Sequence, residues 1–349
     1  MPTEKKYTAL VLTGRFEPVH SAHVELIRRA VKLTKDLIII VGSTKQPRTY
    51  KNPWTFQERA MMLHNVLETI DCGTTRVHIE SNIDTIYNDT AWASRVQGIV
   101  SKYRCLGGKT GIIGHKKDAA TADYLNMFPQ WELEEVELLQ PLNASNVRDL
   151  YFREDCNMNF LRNVVPQNVF SILEGWKDTP GFNQVIRERK FVASFKKTYE
   201  GLPYAPTFNT GDAVVICSGH VLMVKRRAEP GKNLMALPGG YLMAEKDKSV
   251  RDCALRELRE ETGLKVPLPV LQGSIVRSQR FDAIDRSPRG RIITEAFLIM
   301  LGNTGELPRV KGGNDAVSAK WIPLADVKSE ECFEDHFELI QIMTYALPV

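Results

Sequence analysis

A chain of 349 residues exceeds the size at which single hydrophobic cores stop growing, so two domains are expected. Hydrophobic residues make up 43% of it and charged residues 25%, which excludes an intrinsically disordered polypeptide. The 46 basic and 42 acidic residues leave a net charge of +4 without basic blocks, so mild attraction for small anions is expected and nucleic-acid binding is not.

The six cysteines, at positions 72, 105, 156, 217, 253 and 332, form no CxxC pair, which argues against disulfides and structural zinc and for a reducing compartment. Met1 to Lys6 lead directly into a strand-like segment without a signal-peptide core, and the longest apolar runs are of strand length. A soluble, cytoplasmic protein without a membrane partner is expected. Oligomeric state is left open, a homo-oligomer included.

In chain order, an apolar strand at Tyr7 to Leu12 is followed by a glycine-containing loop, a helical pattern at Val24, Ile27, Ala30 and Val31, and a second strand at Leu37 to Val41. Helices at Thr55 to Ile70 and Thr90 to Tyr103 alternate with strands at Arg76 to Glu80, Thr110 to Gly114 and near Glu132 to Leu139. This alternation predicts an α/β domain with a doubly wound parallel sheet, covering 1–182. A basic amphipathic stretch and then Gly201, Pro203 and Pro206 mark a linker at 183–206. Beyond it, 207–349 predicts an α+β domain. It has a hairpin around Ser218-Gly219, strands near Leu271 to Arg280, Arg291 to Met300 and Ala316 to Pro323, and one strong helix at Val250 to Thr262. The residues after Lys320 read as a short acidic tail.

Two segments carry chemistry. His20 and His23 fall where the loop after the first strand becomes the first helix, at the carboxyl end of the strand, where open α/β sheets bind ligands. Backbone N–H groups there favour phosphate, and two imidazoles three residues apart can add donors to the same polyphosphate. A bare HxxH also fits a helix cap beside a solvated histidine. Far along the chain, Glu257, Glu260 and Glu261 share one helical face, where their mutual repulsion is relieved by divalent cations such as Mg²⁺ or Mn²⁺. A solvated acidic face offset by Arg256 and Arg259 is the alternative.

The first segment resembles the (H/T)xGH signature of the nucleotidyltransferase superfamily, and Leu142-Asn143-Ala144-Ser145-Asn146-Val147-Arg148 is similar to its ISSTxxR motif. Gly14-Arg15-Phe16-Glu17-Pro18, Arg48-Thr49 with Asn52-Pro53, Gly114-His115-Lys116-Lys117-Asp118 and Phe128-Pro129-Gln130-Trp131 resemble archaeal-type nicotinamide mononucleotide (NMN) adenylyltransferases and the bacterial proteins that fuse one to a Nudix domain. The resemblance implies a Rossmann-like nucleotidyltransferase domain that makes NAD and pyrophosphate from ATP and NMN. It implies catalysis by His20, His23 and Arg148, and ATP or phosphate binding by these and by Gly14, Arg15, Phe16, Gly114, Lys117, Asp118, Asn143 and Ser145. Trp92 matches the position that stacks on nicotinamide, where an ordinary core tryptophan is the alternative. Ala22 and Asn143-Ala144 depart from the two motifs.

Leu237-Pro238-Gly239-Gly240 and Arg256-Glu257-Leu258-Arg259-Glu260-Glu261-Thr262-Gly263-Leu264 resemble the Nudix box. The resemblance implies a metal held by the Gly240 carbonyl, Glu257, Glu260 and Glu261; Glu295, on a following strand pattern, is a candidate further ligand or base, with a solvent-facing strand glutamate as the alternative. It also implies hydrolysis of ADP-ribose to AMP and ribose 5-phosphate, with Arg286, Arg289 and Arg291 gripping the substrate. The front half of the box departs: fifteen residues separate Gly240 from Arg256 where the pattern allows thirteen, Lys248 stands in the glutamate position, and Glu245 is the nearest substitute. A non-hydrolytic sensor domain is one rival reading, and a Nudix-based transcription regulator is another.

Overall fold

The strand β1 (Tyr7–Gly14) is paired on both sides, and its Ala9, Leu10 and Val11 are fully buried, which is why it reads as an unbroken apolar run. The computed structural model describes residues 4–103, 107–115, 125–137, 143–303 and 305–345. The chain forms two compact units, residues 1–48 with 52–185, and 49–51 with 186–349. The residues expected to link the domains are helical through Lys197, in the helix Pro180–Lys197, within which this division falls.

In the first unit, α1 (Ser21–Leu33) leads from β1 to β2 (Thr34–Val41). Helix α2 (Phe56–Leu67), β3 (Arg76–Ser81), α3 (Asp89–Ser101), β4 (Thr110–Gly114) and β5 (Glu132–Glu135) follow. All pairings are parallel, in the order β3-β2-β1-β4-β5. The chain runs outward from β1 to β3 and then returns to the other side of β1 as β4. The order therefore reverses between β1 and β4, where such sheets open a ligand crevice at their carboxyl ends. Gly14 and Gly114 are the last residues of those two strands. Ala9, Val11, Ile38, Ile40 and Ile112 pack beneath Val96, Val100, Leu125 and Phe128. Each fully buried Val, Leu, Ile or Phe side chain among them contributes about 1.5–3 kcal/mol.

In the second unit, β6 (Thr207–Cys217), β7 (His220–Arg226), β10 (Ile275–Phe281), β11 (Arg291–Met300) and β12 (Ala316–Pro323) form a mixed sheet in the order β10-β11-β6-β7-β12. Only β11 and β6 run parallel within it. The short strands β8 (Met235–Ala236) and β9 (Gly239–Tyr241) pair with β7 and β6. The helix Val250–Thr262 matches its expected bounds, and both signals that set them operate. Ser249 caps its first turn by accepting from Asp252 N at 3.1 Å, and Gly263 ends it in the left-handed conformation at φ 57°. Leu255 and Leu258 pack on Ala213 and Val215. At Gly211 the helix start lies so close that a Cβ would sit 2.6 Å from Val250 O.

Two expectations are corrected. Leu271 begins no strand: it is buried in the short helix Leu268–Gly273, and the strand starts at Ile275. Nor do the residues after Lys320 form a tail. The helix His336–Thr344 buries Leu339, Ile340 and Met343, and Asp335 is itself buried. Among the described residues, no helix is long and apolar enough to cross a membrane.

Candidate active sites

At the first site the loop after β1 is shaped from within. Phe16 is buried and left-handed at φ 54°, and a Cβ on Gly14 would lie 3.1 Å from its ring. Gly14 thus leaves room for Phe16, whose ring backs His23 at 4.7 Å between centroids. The His20 and His23 rings lie 3.8 Å apart at the start of α1. His20 N donates to His23 Nδ1 at 3.2 Å, so a neutral His23 carries its proton on Nε2 as a donor. Two imidazoles and the helix N-terminus therefore share one end of the crevice.

Arg148, far away in sequence, meets this loop directly. It lies in the helix Ala144–Tyr151, its Nη1 donates to Glu17 O at 2.7 Å and its Nη2 to Ser145 Oγ at 3.0 Å. Burial, and then the nearby Arg15, lower its pKa to about 10, which still leaves a cation at neutral pH. Asn143 spends its side-chain oxygen on the helix N-terminus, accepting from Asn146 N at 2.8 Å, and Ser145 orients Arg148. Trp92 is partly buried at the edge of the sheet core, 6.0 Å from the Phe128 ring. Gly114 leaves room for Leu125, since a Cβ would come within 2.8 Å of Leu125 Cδ2. Lys117 and Asp118 lie outside the described residues.

At the second site each signature glycine accommodates one carboxylate. A Cβ on Gly240 would lie 2.5 Å from Glu257 Oε1, and one on Gly239 would overlap Asp212 Oδ1 and come within 2.6 Å of Gly211 O. Glu261 Oε2 accepts from Gly239 N at 3.1 Å, Glu257 Oε1 from Arg256 Nη1 at 2.7 Å, and Glu260 is exposed. The three glutamates thus lie on one side of the helix, with Glu257 and Glu260 both accepting from Arg256 Nη1, at 2.7 and 3.4 Å, and Glu261 accepting from Gly239 N. Among the described residues no three His, Cys, Asp or Glu side chains converge to hold a metal ion.

The electrostatics nevertheless fit a cation. Burial pushes Glu261 up to about 8 and raises Glu257, so a divalent cation beside them would offset the cost of ionising both. With the Gly240 carbonyl they would supply oxygen donors only, the kind that Mg²⁺ and Mn²⁺ take. Glu295 pairs in register with Gly211, and Gly211 with Gly240. At about 4.8 Å per strand this puts Glu295 roughly 10 Å from Gly240, in one row across the sheet.

Two carboxylates here escaped the sequence reading. Asp247, two residues beyond Glu245, accepts from Arg256 Nε and Nη2, both at 2.8 Å, and this pairing holds its carboxyl down to about 2. Its signal was an acid nine residues before Arg256, one step out of register. Asp212, buried and bonded by Thr294, is pushed up to about 6 by burial and stands across from Gly239. No motif marked it.

The three arginines expected to grip the substrate differ in their surroundings. Arg286 is buried, and its Nε and Nη2 donate side by side to the two Asp335 carboxylate oxygens at 2.9 and 2.8 Å, which ties the Asp335 segment to the fold. Arg289 is shared among Glu334, Tyr241 and Ser287. Of the three arginines, Arg291 alone keeps a buried guanidinium nitrogen, Nη1, without a hydrogen-bond partner.

Residues 11–131 match the Cytidylyltransferase-like domain and residues 207–341 the NUDIX domain. The fold and sites therefore define a nucleotidyltransferase domain joined to a Nudix hydrolase domain. A nicotinamide/nicotinic acid mononucleotide adenylyltransferase of Acinetobacter baylyi is 30% identical over 181 residues, 52% of this chain and 92% of that protein. An ADP-ribose pyrophosphatase of Methanocaldococcus jannaschii is 34% identical over 114 residues, 32% of this chain and 60% of that protein. Along the whole chain, the crystal structure of a bifunctional NMN adenylyltransferase/ADP ribose pyrophosphatase from Francisella tularensis, complexed with AMP and a Mn ion, is similar at a TM-score of 0.89 and 30% identity. It covers 97% of this chain and 98% of that one. The chain belongs to this family of bifunctional NMN adenylyltransferase/ADP-ribose pyrophosphatases.

Proposed function

We propose that the first unit transfers the adenylyl group of ATP to NMN, giving NAD and pyrophosphate, and that the second hydrolyses ADP-ribose to AMP and ribose 5-phosphate. The observation that carries the first assignment is the hydrogen bond from Arg148 to the Glu17 carbonyl. It brings the later motif's arginine to the loop that carries His20 and His23.

In the transfer step an NMN phosphate oxygen attacks the α-phosphorus of ATP, that P–O bond forms, and the bond to the pyrophosphate oxygen breaks. No protein nucleophile is required, so the chain contributes alignment and charge. Arg15 and Arg148 neutralise the leaving pyrophosphate, and His23 Nε2–H with the start of α1 donates to its oxygens. Trp92 is the proposed stacking partner of the nicotinamide ring.

In the second unit Glu257, Glu261 and the Gly240 carbonyl would hold a divalent cation, with Glu260 and Glu295 completing the set. We assign Mg²⁺, with Mn²⁺ as its substitute. The cation supplies charge to the diphosphate and a lowered pKa to a bound water. Arg256 orients Glu257 and is itself oriented by Asp247. Because Asp247 fulfils the task that the altered box seemed to have lost, hydrolysis is favoured over a purely sensing role. Incubating the purified chain with ADP-ribose and Mg²⁺ tests this. AMP and ribose 5-phosphate are expected, and binding without AMP release would favour the sensor.

A further inference from the structure

Arg59 lies in α2, outside every segment given a role above, and is 1% exposed. Its Nη1 donates to Arg15 O at 2.9 Å and Gly42 O at 2.7 Å, its Nη2 to Ser43 O at 3.1 Å and its Nε to Thr55 O at 3.4 Å. A single planar guanidinium thus ties the loop after β1 to the loop after β2. A lysine, with a tetrahedral head on a flexible stem, cannot reproduce that fork.

Its counter-charge is Glu17, which is fully buried with Oε1 2.9 Å from Arg59 Nη1. Neither carboxylate oxygen makes a hydrogen bond of good geometry, so the ion pair is the compensation for that burial. A buried pair of this kind is a poor source of stability, since an apolar pair of similar volume often does as well. Fixing the register of two loops accounts for it better. The opposite end of the bracket is fixed too: Ser43 donates to Asp84 through its N–H, at 3.1 Å, and through its hydroxyl. On the near end, the Glu17 carbonyl receives Arg148. Residue 17 is held by one arginine at its side chain and by another at its backbone.

We propose that the Glu17–Arg59 pair is the positioning device of the nucleotide site, setting the spacing of the two loops and holding Arg15 and Arg148 to receive the ATP phosphates. The inference rests on the adenylyltransferase reading and adds to it two residues that touch no substrate.

The test uses the full chain, with Arg59→Lys, Glu17→Gln and the double variant, ADP-ribose hydrolysis serving as the control for sample quality. Arg59→Lys is expected to raise the KM for ATP about ten-fold or more while leaving that for NMN within about two-fold. Glu17→Gln, which keeps the shape and so guards against a misfolded Arg59→Lys, is expected to give a rise of the same kind. The double variant should be no worse than the poorer single one, because both remove one bracket. The Kd of a non-hydrolysable ATP analogue, measured by calorimetry, should follow the same order. An unchanged KM for ATP in either variant, a parallel rise for NMN, or additive losses would overturn the pair's role. A wild-type chain that binds the analogue but makes no NAD would instead contradict the adenylyltransferase reading, and the analogue Kd would still decide the pair.

Discussion

Asp247 and Arg256 meet side by side, with both carboxylate oxygens accepting from the guanidinium at 2.8 Å. Arg256 in turn holds Glu257 at 2.7 Å, so a residue of the altered loop controls a carboxylate facing Gly240. Asp247→Asn removes the charge and one of the two acceptors. AMP release from ADP-ribose should fall about 10- to 100-fold, as expected for a residue that orients a metal ligand through another group. Glu245→Gln, which leaves the Asp247–Arg256 pair in place, should leave the rate unchanged, and initial rates at saturating Mg²⁺ read both.

The glycine pair predicts two different failures. Gly240→Ala places a methyl group against the movable Glu257 carboxylate, so the chain should fold and melt near the wild-type temperature but require more Mg²⁺ for half-maximal hydrolysis. Gly239→Ala places one 2.6 Å from the Gly211 backbone, which cannot swing aside. It should lower stability by about 1–3 kcal/mol, as overpacking does. Thermal melts and Mg²⁺ titrations on the two variants separate the effects.

Burial raises Glu261 from its ordinary 4.5 to about 8, so the folded metal-free chain binds a proton there more tightly than the unfolded chain does. That contribution to stability is complete below pH 4.5 and is lost as pH rises toward 8. In chelator, Glu261→Gln should therefore gain stability relative to wild type between pH 5 and 8. Added Mg²⁺ should restore the wild type at pH 8 and do little for the variant. A difference between the two melting curves that does not change with pH would contradict the assignment of the shift to Glu261.

In the first unit, His20→Ala removes one imidazole from the start of α1. NAD synthesis should drop about 10²- to 10³-fold, the usual cost of losing one donor to developing charge. Arg148→Lys should cost a similar amount, because a lysine lacks the planar fork whose two nitrogens serve Glu17 O and Ser145 Oγ. Neither change should alter AMP release from ADP-ribose.

What the sequence made legible was local. The helix Val250–Thr262 could be bounded because Ser249 and Gly263 signal through their own backbone, and the parallel sheet through the apolar runs at β1 and β2. What stayed hidden depends on partners distant in the chain. Nothing near Arg286 in the sequence announces its partner Asp335, 49 residues on. Arg59 and Asp212 carry no periodicity or motif, and acquire meaning only from the carbonyls and glycines they face. Asp247 was obscured by a one-residue change in register that a loop absorbs without cost to the helix.

The central claim is that one chain carries two independent active sites acting on different bonds. Its most direct test is a paired assay of wild type, His20→Ala and Glu261→Gln, following NAD from ATP and NMN and AMP from ADP-ribose, each with Mg²⁺. The account predicts both products from wild type, loss of NAD alone in His20→Ala, and loss of AMP alone in Glu261→Gln. A wild-type chain lacking either activity, or a single substitution that removes both while the chain stays folded, would contradict it.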